Sequence, residues 1–321
     1  MSAIAEAPAT RRDGRMTRQA RRAQKPPRGR GNPWRHDWRA ALLFILPASV
    51  GFLVFYVIPA IRGFWYSVTD YEFLGDADFI GLDNYRQMVG DQLFWNALLV
   101  TLEYVVINIG VQTVVALVIA VLMQRLTTNI VIRGVLLLPY LIANVVVALI
   151  WYWMANKLIG IINIGLEAIG LPAQAFFGSS FWSIPTIALV NTWRHMGYTA
   201  LLIFAGLQTI PKQLYEAAAI DGAGEVKSFF RITLPLLRPV LALVLVVTVT
   251  GSFQIFDTVA VTTAGGPINA TRVIYYYIFE LAFNRYHFGY ASALTVALFL
   301  ILAALAWIQL KLMRADQSDL D

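Results

Sequence analysis

The chain reads as an all-α membrane protein with six transmembrane helices, and composition, run length and charge asymmetry together predict that class. Of 321 residues, 58% are hydrophobic and 14% charged, and the mean hydropathy is +0.63. Soluble domains sit near half apolar and a quarter charged, so bulk composition already points to lipid. Apolar runs at about 41–61, 96–123, 131–153, 181–207, 240–261 and 290–310 are each long enough to cross a bilayer with some tilt. Backbone exposed to lipid must be helical or closed into a barrel, and no alternating ten-residue pattern supports a barrel.

Charge sets the expected orientation. Eleven of the 25 Lys and Arg precede residue 40, in a stretch that also holds Pro26-Pro27, glycines and few apolar groups. Residues 1–39 are therefore expected to form a disordered basic tail beside anionic lipid. With that tail inside, the inner segments also carry Arg125, Arg133, Lys212, Lys227, Arg231, Arg238, Lys311 and Arg314. The first outer loop instead collects Asp70, Glu72, Asp76, Asp78, Asp83 and Asp91. This satisfies the positive-inside rule and predicts a cytoplasmic N-terminus. The +6 net charge, concentrated in the tail, does not form a nucleic-acid face.

The first run follows about forty polar residues and lacks a small-x-small cleavage site, so it reads as a retained helix and not a signal peptide. Trp34 and Trp38 before it, Trp151 and Trp153 ending the third run, and Trp182 opening the fourth fit interfacial belts. Between the third and fourth runs, Ile161, Ile162, Leu166 and Ile169 give a partly amphipathic outer segment.

Covalent chemistry has no residues to carry it. Cysteine is absent, none of the five lysines follows a glycine, and three scattered histidines make no metal-binding pattern. No phosphate-cradling loop, thiol site or metal cluster is expected, and the chain reads as non-catalytic. If ATP is used, another chain must bind it and its Mg²⁺.

Polar residues inside apolar runs carry the functional signal instead. The fourth run contains Asn191, Arg194, His195 and Tyr198 at three- and four-residue steps, on one helix face. An arginine at membrane depth costs about 2.5 kcal/mol or more, so this face should meet a protein interior or a wet cavity. The fifth run adds Thr248, Ser252, Gln254 and Asp257, and the second and third add Asn108, Gln112 and Asn144. Two readings stay open at this point: a translocation path, or interhelical hydrogen bonding with an Arg194–Asp257 pair.

Between the fourth and fifth runs lies a polar elbow, residues 208–239. Glu216-Ala217-Ala218-Ala219-Ile220-Asp221-Gly222 reads as a small-faced helix ended by a left-handed glycine, with Pro211 at its first position. A second short helix should carry Val226, Phe229, Phe230 and Ile232 and close at Pro235.

Here a family resemblance emerges. Glu216-Ala217-Ala218, three residues, Gly222, nine residues, then Ile232-x-Leu234-Pro235 resembles the cytoplasmic loop motif of binding-protein-dependent ABC importer permeases at every fixed position. Phe79-Ile80-Gly81-Leu82-Asp83-Asn84-Tyr85, Gly265-Gly266-Pro267 with Thr271, Ala282-Phe283, and Gly289-Tyr290-Ala291-Ser292-Ala293 resemble the carbohydrate-uptake branch, in its maltose-transporter-like subunit. The likeness covers roughly residues 40–312, leaving out the basic tail and the short tail at 313–321.

The resemblance implies a type I importer permease in a bacterial inner membrane, with a cytoplasmic coupling helix. It implies a second related permease, two ATP-binding subunits and an extracytoplasmic solute-binding protein, with a mono- or oligosaccharide moved by alternating access. In the family the loop helix seats in a groove of the ATPase, which assigns coupling to Glu216, Ala217, Ala218, Asp221, Gly222, Ile232, Leu234 and Pro235. It places Asn191, Arg194, His195 and Tyr198 at or near sugar-contacting positions, with Thr248 and Ser252 opposite. Arg194 and His195 are bulkier and more basic than the family's maltose-type residues. The same machine carrying an anion, such as a sugar acid or glycerol 3-phosphate, is therefore the alternative, ahead of a secondary transporter or a scaffold.

Overall fold

The computed structural model describes residues 34–126 and 129–315, with side chains for 41–126 and 129–311. Most of the expected basic tail and the end of the C-terminal tail lie outside these residues. The described chain is helical, with one isolated β-bridge between Thr69 and Phe79.

Helix α1 (Trp34–Phe52) runs through a π turn (Leu53–Val57) into α2 (Ile58–Tyr66), so helical backbone begins seven residues before the apolar run. Ala60 ends a first compact unit and Ile61 begins a second. In the first unit, Leu42 to Phe55 present mostly exposed apolar side chains.

The second unit holds α3 (Asp83–Gly90), α4 (Gln92–Leu126), α5 (Ile130–Leu141), α6 (Asn144–Met154), α7 (Ile161–Ala168) and α8 (Ser183–Leu207). After the elbow come α12 (Arg238–Phe253), α13 (Asp257–Thr262), α14 (Ile274–Phe279) and α15 (Phe288–Ala315). Its core is the packing of α4 against α8, where Ala116, Ala120 and Ala200 let the two backbones approach. A Cβ built on Gly197 would overlap the Leu136 carbonyl oxygen, so α5 also lies directly on α8.

Among the described residues, four segments are long and apolar enough to cross a membrane: Ala41–Tyr66, Gln92–Leu126, Arg238–Thr262 and Phe288–Lys311. The pair α5 and α6 makes a fifth if it is one span, although it bends by 90°. Helix α8 has the length, at 25 residues, but its polar cluster dilutes its hydropathy. The expected count of six therefore needs both α8 and the bent α5–α6 pair to be spans.

Two expected spans are broken rather than continuous. The run at 131–153 breaks where Ile142 and Ala143 turn extended, one turn after Pro139 has removed a ladder donor. The run at 240–261 breaks between Phe253 and Asp257, where Gln254 ends α12 and Phe256 leaves helical geometry. Helix breaks at membrane depth need protein partners for the freed backbone groups.

Motifs that carried the family resemblance outside the elbow hold the connections between spans. Buried Asn84 donates its side-chain amide to the carbonyls of Ser67 (3.1 Å) and Thr69 (2.8 Å), and Tyr85 donates to Ser67 Oγ. Gly289 gives its N–H to the Tyr71 carbonyl at 2.8 Å, an approach any Cβ would obstruct. Thr271 donates to the Gly266 carbonyl at 2.7 Å. At the start of α4, Asp91 accepts from the hydroxyls of Tyr277 (2.6 Å) and Tyr290 (2.8 Å), binding α14 and α15 to it. Burial alone would raise the Asp91 carboxyl, but these hydroxyls and the N–H groups of Leu93 and Phe94 outweigh it and hold it below its ordinary value. Burial first and then the Asp91 charge push the Tyr277 phenol up. The amphipathic stretch forms α7, fixed by Asn163, which exchanges side-chain hydrogen bonds with the backbone of Gln174.

Candidate functional site

Residues of α4, α5, α8 and α12 line a half-open cavity of about 210 Å³. Helix α8 contributes Asn191, His195 and Tyr198 to its lining, and α12 contributes Thr248 and Ser252. Asn108 and Gln112 of α4, Tyr140 of α5 and Thr199 of α8 complete the polar lining.

A hydrogen-bonded network centred on Asn108 holds the wall in place. This side chain is 1% exposed. Its Nδ2 donates to Ser252 Oγ at 2.9 Å, and its Oδ1 accepts from Asn191 Nδ2 at 3.0 Å. One amide thereby joins α4, α8 and α12. Gln112 Nε2 donates to Thr199 Oγ1 at 2.9 Å, a second link from α4 to α8. Such bonds between transmembrane helices are worth about 0.6 kcal/mol each on average, so the network contributes alignment more than stability.

An aromatic wall faces the network. The rings of Tyr140 and Tyr198 stack at 4.7 Å and 12°, and His195 meets Tyr140 edge-on at 5.5 Å. Tyr140, Tyr198 and Thr248 bring hydroxyl-bearing side chains to the lining. Leu202, Val244, Val247 and Gly251 make the rest of the lining apolar, and none of its residues is Lys, Arg, Asp or Glu.

Three residues expected on the pathway lie outside the lining. Arg194 donates its Nε to the Ile142 carbonyl at 3.2 Å, where the backbone of the third expected span breaks. Its guanidinium sits over the Tyr140 ring, 5.3 Å from the centroid. Asp257 accepts from Asn144 Nδ2 at 3.0 Å, and no Arg194–Asp257 pair forms. Gln254 caps α12 at the second break. These residues serve the helix breaks, for which the continuous apolar runs gave little warning. Tyr140 escaped the sequence reading, and its one signal was the adjoining Pro139.

The elbow forms away from the cavity. Helix α9 (Lys212–Ile220) begins after Pro211, which caps it rather than occupying its first turn. Gly222 takes φ +71°, and Ala223 N–H reaches back to the Ala218 carbonyl at 2.8 Å, a left-handed stop as expected. The second arm is α10 (Glu225–Ser228), a π turn (Phe229–Thr233) and α11 (Leu234–Leu236). Pro235 does not close this arm. It lies in the first turn of α11, where a missing N–H is tolerated.

Glu216 and Ala217 are exposed, as are Ile220 (87%), Val226 (72%) and Phe230 (60%). The base is anchored: Tyr215 and buried Thr233 share a hydrogen bond of 2.9 Å, Glu225 pairs with Arg125 at the end of α4, and Leu237 is fully buried.

Comparison with known proteins agrees with this architecture. Over 283 residues the chain is 34% identical to the probable ABC transporter permease protein YurN of Bacillus subtilis, covering 86% of this chain and 97% of that relative. It is 33% identical to the trehalose/maltose transport system permease protein MalF of Thermococcus litoralis, covering 85% and 92%. It is 32% identical to the sulfoquinovosyl glycerol transport system permease protein SmoG of Agrobacterium fabrum, covering 87% and 91%. A crystal structure of a bacterial ABC transporter importing alginate superposes with a TM-score of 0.78 at 22% identity, over 90% of this chain and 100% of that one, a likeness of fold. Residues 112–315 match the family of binding-protein-dependent transport system inner membrane components, and the chain belongs to that family.

Proposed function

We propose that this chain is the permease subunit of an ATP-driven importer for a neutral mono- or oligosaccharide, which crosses through the cavity between α4, α8 and α12. The observation that carries the reading is the lining itself. The Tyr140 and Tyr198 rings and the hydroxyl-bearing side chains match the faces and hydroxyl groups of a sugar, and no lining residue is Lys, Arg, Asp or Glu. The 33% identity to a permease named for trehalose and maltose supports it.

In this reading the N-terminus is cytoplasmic, α8 is the fourth of six spans, and the elbow faces the cytoplasm of a bacterial cell with its membrane around the spans. The exposed small-residue face of α9, with Glu216 as its acidic handle, seats in one of two ATP-binding subunits. ATP and Mg²⁺ are held there, and this chain performs no covalent chemistry. A second related permease completes the pathway and a solute-binding protein delivers the sugar. ATP-driven closure of the partner subunits moves the elbow, and alternating access follows as a rigid-body change.

The second reading is an anionic cargo. It is favoured by relatives named for sn-glycerol-3-phosphate and sulfoquinovosyl glycerol, each 32% identical. Against it, the Arg194 guanidinium is committed to Ile142 and lies outside the lining. Uptake of labelled sugar in competition with neutral and anionic sugars separates the two. Competition by neutral sugars alone supports the proposal, and competition by sugar acids or glycerol phosphate alone replaces it with the anionic reading.

A further inference from the structure

His195 is the one cavity-lining residue that could carry a positive charge near neutral pH, and both its ring nitrogens are already engaged. Nδ1 lies 3.0 Å from the Asn191 carbonyl oxygen. A carbonyl only accepts, so Nδ1 carries the proton. Nε2 lies 3.0 Å from Arg194 Nη1, and a guanidinium only donates, so Nε2 offers its lone pair. The two contacts are compatible with one form, the neutral Nδ1–H tautomer. An imidazolium would set two N–H donors face to face at Nε2.

Arg194 is itself held from two sides, by Nε on the Ile142 carbonyl and by the Tyr140 ring beneath the guanidinium. We infer that Arg194 is a positioning residue, locking His195 as an uncharged Nδ1–H ring whose aromatic surface, not its nitrogens, faces the cargo. The inference rests on the cavity being the transport path.

The titratable or charged groups around His195 are few. Arg194 and Tyr198 share its helix, and Tyr140 faces it from α5. Helices α4 and α12 bring Asn108, Gln112, Thr248 and Ser252, none of which carries a charge. With Arg194 in place, no acidic partner in the lining favours the imidazolium. The neutral ring is the form that both contacts select. A lysine at 194 could serve the Ile142 carbonyl or Nε2 but would not bridge both in the same plane.

The test is nitrogen NMR of the full-length chain in lipid nanodiscs with ¹⁵N-histidine label. The chain has three histidines, and H195Q identifies the signal of interest. The wild type should show a protonated Nδ1 and an unprotonated Nε2 at His195, unchanged as pH is lowered from about 8 to about 5.5, across the usual imidazole transition. R194M should titrate in that window or switch to the Nε2–H form, and its sugar uptake should fall several-fold with acidification while wild-type uptake stays flat. R194K should give an intermediate spectrum, and it carries the comparison if R194M does not fold. An Nε2–H tautomer or an imidazolium in the wild type overturns the assignment. So does an R194M or R194K spectrum identical to wild type. The spectra are read without any cargo, so an absence of sugar uptake would count against the transport reading and not against this one.

Discussion

Asn144 donates its side-chain amide to Asp257 across 3.0 Å, joining the first turn of α6 to the first turn of α13. Both residues open a half-helix directly after a break, so one hydrogen bond ties two interrupted spans at the points where their own ladders stop. Asn144→Ala and Asp257→Ala should each lower thermal stability in detergent. Their double-mutant cycle should give a coupling of roughly 0.5–2 kcal/mol, the range for such bonds between membrane helices. Additive effects of the two substitutions would mean that the breaks are held by other contacts.

Asn108 is the junction of three helices at the cavity wall. Asn108→Leu keeps similar volume but leaves the Asn191 amide and the Ser252 hydroxyl without their partner. A loss of about 1–3 kcal/mol follows from orphaned buried polar groups. Uptake should fall more than the amount of inserted protein, because Asn191 and Ser252 line the cavity. Comparing transport rate per inserted subunit with thermal stability checks both halves.

Gly197→Ala should be far more damaging than an ordinary helix substitution. The new methyl would meet the Leu136 carbonyl, a backbone atom that cannot rotate aside, so α5 must move off α8. Overpacking of this kind costs typically 1–3 kcal/mol, and it would separate Tyr140 from Tyr198. A melting temperature and expression level equal to wild type would show that α5 does not sit against α8.

The polar cluster at 191–198 was legible because polar groups in lipid are expensive, and the cavity contains three of its four named members. Arg194 was expected to face a protein interior or a wet cavity but not to clamp Ile142, since a hydrogen bond to a backbone break leaves no mark in side-chain periodicity. The breaks were hidden for a related reason. Hydropathy reads length and apolarity, and the residues around Ile142 are as apolar as the helices they separate. Only Pro139 and Gln254 stood out. In the elbow, Gly222 behaved as its missing Cβ requires, whereas Pro235 did not stop the chain because the preceding π turn delivers it into a fresh first turn.

Asp91 offers a pH test outside the spans. Its carboxylate is held below the ordinary value, so its stabilising effect is present above the unfolded value near 4 and is lost as pH falls through the folded one. Asp91→Asn should therefore be less stable than wild type by about 2 kcal/mol near neutral pH, the cost of weakening charge-assisted bonds to Tyr277 and Tyr290. The gap should close below about pH 4. Melting curves of both proteins over that range check it, and a gap independent of pH would assign the effect to packing.

The central claim is that the elbow drives transport through the cavity. Its most direct test is ATP-dependent uptake by Glu216→Lys, in membranes holding the variant at the wild-type level. Glu216 is exposed on α9 and takes no part in anchoring the base, so insertion should be unchanged. The account predicts that uptake is abolished while the protein remains in the membrane. Uptake at the wild-type rate from that variant would contradict it.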